Sequence, residues 1–173
     1  MEWSGKDRLK LEDLASDLAV KMVLQSIKLR ELEDLKTWGV NPESPRHRLE
    51  IVILSLSSLK SAIFIAQQSS TFNRDKGSEL LLYVEQYLKN SYANVLTLGD
   101  TDQFENLLRS RYEEYESRDT PGSTIPQLGL RFSNNIGIDD IALVHWAETT
   151  FRTVRQTYVD FLKVINDKYE LIC

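Results

Sequence analysis

Cysteine is almost missing from this sequence: the single one, Cys173, is the last residue. One cysteine excludes an intramolecular disulfide and a thiolate metal cluster. A free thiol there reads as incidental, and the usage fits a reducing, cytoplasmic compartment. Histidine is nearly as scarce, with only His47 and His145. Seven glycines and four prolines are few for a chain of 173 residues, which disfavours a turn-rich β architecture and favours long helices. Runs of alternating polar and apolar residues, the usual strand signal, are missing. The charge balance lacks a basic excess. At net −5 the chain could meet nucleic acid only through a local patch. The densest candidate is Arg46-His47-Arg48 at a helix start, so no nucleic acid is expected. The N-terminus, Met1 to Asp7, has no apolar core of a secretory signal. The longest apolar stretch, Ile51 to Ala66, contains Lys60 and is interrupted by serines. It reads as a buried helix, short of a membrane span.

What is present is helical periodicity. Apolar residues make up 42% and charged residues 27%, ordinary for a soluble globular chain. The length suits one domain, residues 1–173, burying roughly 70% of the surface its unfolded chain exposes. A first helix is expected from Asp7 to Trp38, with Leu11, Leu14, Ala15, Leu18, Met22, Leu29 and Leu32 on one face. Gly39 follows as a terminating glycine, with Pro42 beyond it. Ser44 and Pro45 read as the cap and first position of a second helix. That helix is apolar nearly all round, which places it in the middle of a bundle. Asn73 to Gly77 reads as a polar break. A third helix is expected from Ser78 to Leu98, ended by Gly99. A fourth follows to Ser117, opened by Asp100 with Gln103 at capping-box spacing. The segment 118–137 holds two kinds of punctuation, proline and glycine, with Leu128, Leu130 and Phe132 between them. It reads as a long crossover strapped over the bundle, with a binding loop as the alternative. Asp139 and Asp140 open a last helix to Leu171. The expected fold is all-α: a single-domain bundle of about five helices with one long loop.

Chemistry is harder to find. A carboxylate-bridged metal site needs paired Glu-x-x-His motifs facing inward. Only His145 and Glu148 stand three apart, which reads as a surface pair. His47, in a first helical turn, reads as solvated. Ser55, Ser57, Ser58 and Ser61 lie on the apolar second helix without a nearby base, so they read as bonding back to the backbone or easing helix approach. Trp38 and Trp146 read as core anchors. Tyr83, Tyr87, Tyr92, Tyr112 and Tyr115 read as packed rings with wet hydroxyls, or as part of a protein-binding groove. No catalytic, cofactor-binding or metal residue is assigned, no cofactor is expected, and the binding residues stay unknown.

Two stretches carry a family resemblance. The first is Leu29-Arg30-Glu31-Leu32-Glu33-Asp34-Leu35-Lys36-Thr37-Trp38-Gly39. The second opens near Trp146 and closes on Val164-Ile165-Asn166-Asp167-Lys168-Tyr169-Glu170-Leu171. Together they resemble the HeLo domain of fungal prion-controlled cell-death (heterokaryon incompatibility) proteins. In that family a leucine-rich helix ends in Arg-Leu-x-x-Trp-Gly, and the last helix closes on an apolar-Asn-Asp-x-apolar pattern. Asp34 departs from the family's arginine. The family's apolar N-terminal segment and its amyloid-forming tail have no match in this sequence. The resemblance implies an inducible, membrane-directed cell-death scaffold without its membrane-active and prion parts. The leading expectation is therefore a non-enzymatic helical module with a protein partner or self-association, reaching a membrane only if activated with a further segment. The alternative is a small helical enzyme or ligand-binding protein whose site is assembled from dispersed residues. A buried polar cluster or a cavity between helices would favour the alternative; a smooth core with one exposed apolar patch would favour the module.

Overall fold

A computed structural model describes residues 6–30, 32–41, 43–92, 101–116 and 127–172. In chain order the elements are β1 (Asp7–Lys10), α1 (Leu11–Arg30), α2 (Glu33–Thr37), α3 (Pro45–Gln68), α4 (Arg74–Tyr92), α5 (Thr101–Glu116), α6 (Gln127–Ile136), α7 (Ile141–Lys168) and β2 (Tyr169–Ile172). The chain is mostly helical, with more helices than expected and one two-stranded sheet.

The central helix forms where its sequence signals place it. Pro45 takes the first position, and Ser44 Oγ accepts the His47 backbone N–H at 3.4 Å. Every residue from Leu49 to Leu59 is buried. Ser55 and Ser58 donate their hydroxyls back to Ile51 O at 3.2 Å and Leu54 O at 2.8 Å, so they add no unsatisfied polar group to the core. The 24-residue α3 is in fact long and apolar enough to cross a membrane by length and composition, which the Ile51–Ala66 stretch alone is not. Of its most apolar window, 78% is buried inside the bundle. The broadest packing is of α7 along α3, with α1, α4, α5 and α6 on the remaining sides. The two long helices run in the same direction. His47 at the start of α3 bonds Ile136 just ahead of α7, and Phe64 near the end of α3 shares a cleft with Asn166 near the end of α7. α1 runs the other way, with Lys21 over the Phe161 ring at 5.1 Å and β1 beside β2.

Four expectations need correcting. The first helix does not start at Asp7 or run unbroken to Trp38. Residues Asp7–Lys10 are a strand, parallel to Tyr169–Ile172, with Leu9 opposite Leu171. Pairing between the two ends overrides a local pattern that suits either structure. For the same reason the last helix stops at Lys168 rather than Leu171. α1 ends at Arg30, and extended Leu32 (φ −64°, ψ 128°) leads into the short α2. The change of direction brings Leu35 fully into the core. Gly39, at φ +90°, then ends the turn as expected, its N–H on Lys36 O at 3.0 Å while Val40 N–H reaches Leu35 O at 2.9 Å.

Asn73 to Gly77 is not a break but the start of α4. Asn73 Oδ1 accepts the N–H groups of Asp75 and Lys76 at 2.9 and 3.1 Å, which makes it the cap. Gly77 is buried inside the helix, against Ile63. Finally, much of the expected loop at 118–137 is helix. Leu128, Phe132 and Ile136 recur every fourth residue on the buried face of α6, and Phe132 meets Trp146 with ring centroids 5.9 Å apart. Intervening Gly129, Ser133, Asn134 and Asn135 disguise that period. The expected helix end at Leu98 and Gly99, the Asp100 cap and the 118–126 part of the loop fall outside the described residues.

Candidate functional site

The core holds one charged side chain that sequence reading passed over. Glu50, in the second turn of α3, is 1% exposed. An isolated carboxylate there would cost many kcal/mol, so it must be paired. Arg111 on α5 donates from Nε to Glu50 Oε1 at 2.8 Å, and Tyr115, one turn on, donates its hydroxyl to Oε2 at 3.1 Å. Arg111 also reaches Glu114 at 2.9 Å, and Asn135 of α6 donates to Glu114 Oε2 at 2.9 Å and to the Tyr115 hydroxyl at 3.4 Å. One network around this buried acid thus ties three helices, α6 joining it through Glu114 and Tyr115. Burial raises the Glu50 pKa, against the bond from Arg111 and the one from Tyr115. Burial and the Glu50 charge push the Tyr115 phenol well above its usual value.

Beside this cluster lies a cleft of about 550 Å³, lined by Ser57, Lys60, Ser61 and Phe64 of α3, Tyr115 of α5, and Phe151 and Arg155 of α7. Glu50, Ser57 and Ser61 fall at i, i+7 and i+11, so one stripe of α3 carries both the buried acid and the cleft floor. Tyr115 belongs to both features: its hydroxyl meets Glu50 and its side chain walls the cleft. Lys60 lies over the Tyr112 ring at 4.2 Å, and Arg155 over the Phe151 ring at 5.5 Å. Tyr112 in turn donates to Glu85 at 2.8 Å, a carboxyl whose pKa burial raises. The stripe was readable: an acid and two serines at helical spacing in an otherwise apolar helix form a polar seam that needs partners. The partners, Arg111 and Tyr115, carry no comparable signal, because charged and aromatic residues at that spacing suit any surface helix.

The residues singled out from sequence scatter. His47 is not solvated: its ring is half-buried. Nδ1 accepts the Asn41 N–H at 2.9 Å, so Nε2 carries the proton and donates to Ile136 O at 3.1 Å. Burial lowers its pKa; the Ile136 bond opposes this and the Arg46 charge adds to it. Arg46 donates to Asn135 O at 2.7 Å, so Arg46 and His47 staple α3 to the end of α6. His145 is exposed, while Glu148 pairs with Arg152 at 2.9 Å. Among the described residues no group of three or more His, Cys, Asp or Glu could hold a metal. Trp38 and Trp146 are half-buried against the core. Tyr83 and Tyr112 are half-buried, Tyr115 is buried and Tyr87 exposed, and the first three bond carboxylates. Tyr115 lines the cleft beside Glu50 and Tyr112 a separate one with Glu85, and the Tyr92 side chain lies outside the described residues.

No protein-family model, curated protein or solved structure matches this chain.

Proposed function

We propose that the chain is a non-enzymatic helical module that acts through protein contacts, its sharpest form a HeLo-like regulated cell-death domain working in the cytoplasm. The supporting observation is on α1. Val20 and Leu24, one helical turn apart, are 54% and 52% exposed on the helix whose opposite face is packed into the core. Large apolar side chains paired in this way suit a contact surface better than water. The buried acid argues in the same direction. Glu50 is held on both oxygens by Arg111 and Tyr115, which suits a strut between helices more than a general acid or base. The HeLo-like form leans on the two stretches that resemble that family. One forms the α2 turn at Trp38-Gly39, and the other forms the end of α7 and β2.

Sedimentation velocity tests the contact surface. The chain should associate as its concentration rises, and Val20→Glu with Leu24→Glu should abolish association while leaving the melting temperature unchanged. Association unaffected by the pair, or a monomer throughout, would remove this support. For the cell-death form, dye release from anionic liposomes is the measure. The chain alone should release none, since α3 is held inside the bundle, and a chain with an apolar segment joined to Met1 should release dye. Leakage from the chain alone, or from neither, counts against the HeLo-like reading.

The alternative, a ligand-binding protein with a site assembled from dispersed residues, is favoured by a different observation, the cleft beside Tyr115.

A further inference from the structure

The cleft between α3 and α7 combines three properties. Its size, about 550 Å³, lies within the usual range of small-molecule sites, about 300–1,000 Å³. Its charged lining has one sign: among the described residues Lys60 and Arg155 line it and no acid does, on a chain whose net charge is −5. Its floor holds a polar group with unmet capacity. Ser57 is 6% exposed, and its Oγ has no hydrogen-bond partner among the described residues. Ser55 and Ser58, its neighbours on the same helix, both satisfy themselves on the backbone four residues back. A buried hydroxyl left unpaired costs about 1–3 kcal/mol, which a rotation of Ser57 toward a ligand acceptor would recover.

The walls set the rest of the ligand. Phe64 and Phe151 face the cleft, and Phe64 is 60% exposed at its rim, a large apolar surface for a side chain that water gains nothing by touching. The Arg155 guanidinium lies over the Phe151 ring at 5.5 Å, which keeps its charge at the cleft wall. Of the nearby acids, Glu50 behind Tyr115 pairs with Arg111, and the Glu85 charge is felt by Lys60. They leave the cleft mouth electropositive at Arg155.

We propose that this cleft binds a small amphiphilic carboxylate. The carboxylate sits on Arg155, Ser57 Oγ turns to donate to it from the floor, and the apolar body lies between Phe64 and Phe151. This inference is independent of the contact surface on α1, and its test does not involve that surface.

Titration calorimetry with decanoate, decanol and decyltrimethylammonium provides the test. Decanoate should bind saturably at one site. Decanol should bind about tenfold more weakly, the loss expected from one charge-assisted hydrogen bond, and the cation should not bind. Arg155→Gln should weaken decanoate about tenfold and leave decanol unchanged. Phe64→Ser should weaken both probes alike. Arg155 is half-buried and Phe64 exposed, so both variants should keep the native melting temperature. Should Arg155→Gln unfold, Arg155→Lys replaces it, with weakened decanoate binding still expected because a lysine cannot supply the planar fork. Equal affinity for decanoate and the cation would overturn the proposal, since it would show adsorption to apolar surface. So would the absence of saturable decanoate binding, or a decanoate affinity indifferent to both Arg155 and Phe64.

Discussion

Glu50 of α3 and Arg111 of α5 form an ion pair at 2.8 Å, with side chains only 2% and 14% exposed. It is the one long-range ion pair among those described in which both partners lie inside the bundle. Burying both charges is costly, so the pair adds less net stability than its geometry suggests. Removing one partner is another matter, because it strands the other. Glu50→Ala should therefore cost about 3–5 kcal/mol. Glu50→Met combined with Arg111→Met should cost much less than the sum of the single changes. Urea denaturation of the four proteins measures this, and additive losses would show that the two side chains are not coupled.

Ile53 and Leu56 are both 0% exposed in the middle of α3. Ile53→Asp or Leu56→Asp would bury an unpaired carboxylate at a cost of several kcal/mol, against a typical total stability of ~5–15 kcal/mol. Circular dichroism should show a mostly unfolded chain at 25 °C in either case. A melting temperature that hardly moves would mean α3 is not central.

How well these elements could be read from sequence follows from the range of the forces that make them. α3 was legible because its cap, its proline and its apolar run are all local. The pairing of Glu50 was not, because what holds this acid sits 61 residues away on α5. The terminal sheet was invisible for the same reason: Leu9 and Leu171 become strand residues only because they meet. α6 was hidden by composition. Its apolar period is regular at Leu128, Phe132 and Ile136, but glycine, serine and asparagine between them look like loop. The cleft depended on both kinds of information. Its floor, Ser57 and Ser61, was noticed as unusual on an apolar helix, and only the packing of α5 and α7 turned it into a site.

His47 gives the bundle a defined response to acid. Its pKa lies below the ordinary 6.5 because burial disfavours the charged ring. A base whose folded value is depressed adds stability that is present above the unfolded value and lost as pH falls through the folded one. Protonation also removes the Nδ1 lone pair that accepts the Asn41 N–H. The melting temperature should therefore drop as pH falls below about 6.5, more steeply than in His47→Gln. Parallel curves for the two proteins between neutral pH and pH 5 would show that His47 contributes nothing to the acid response.

At Gly129, α6 packs directly on the backbone of α7. A Cβ built there would strike the Val144 carbonyl group, 2.8 Å from its carbon and nearer still to its oxygen, and would crowd Val144 Cγ1 at 3.1 Å. Two effects of Gly129→Ala oppose each other. Alanine is favoured in a helix by about 1 kcal/mol over glycine. Overpacking typically costs about 1–3 kcal/mol, and more when the obstacle is backbone that cannot rotate away. The obstacle here is a backbone carbonyl in the first turn of α7, so the clash should win and Gly129→Ala should destabilise the domain. The shift should also appear at Trp146, whose ring packs on Phe132 of the same helix, as a change in its fluorescence. Adding Val144→Ala should restore little, because it removes the crowded methyl and leaves the carbonyl in place. A stabilised Gly129→Ala, or full recovery in the double variant, would mean that α6 does not dock on α7 backbone at this point.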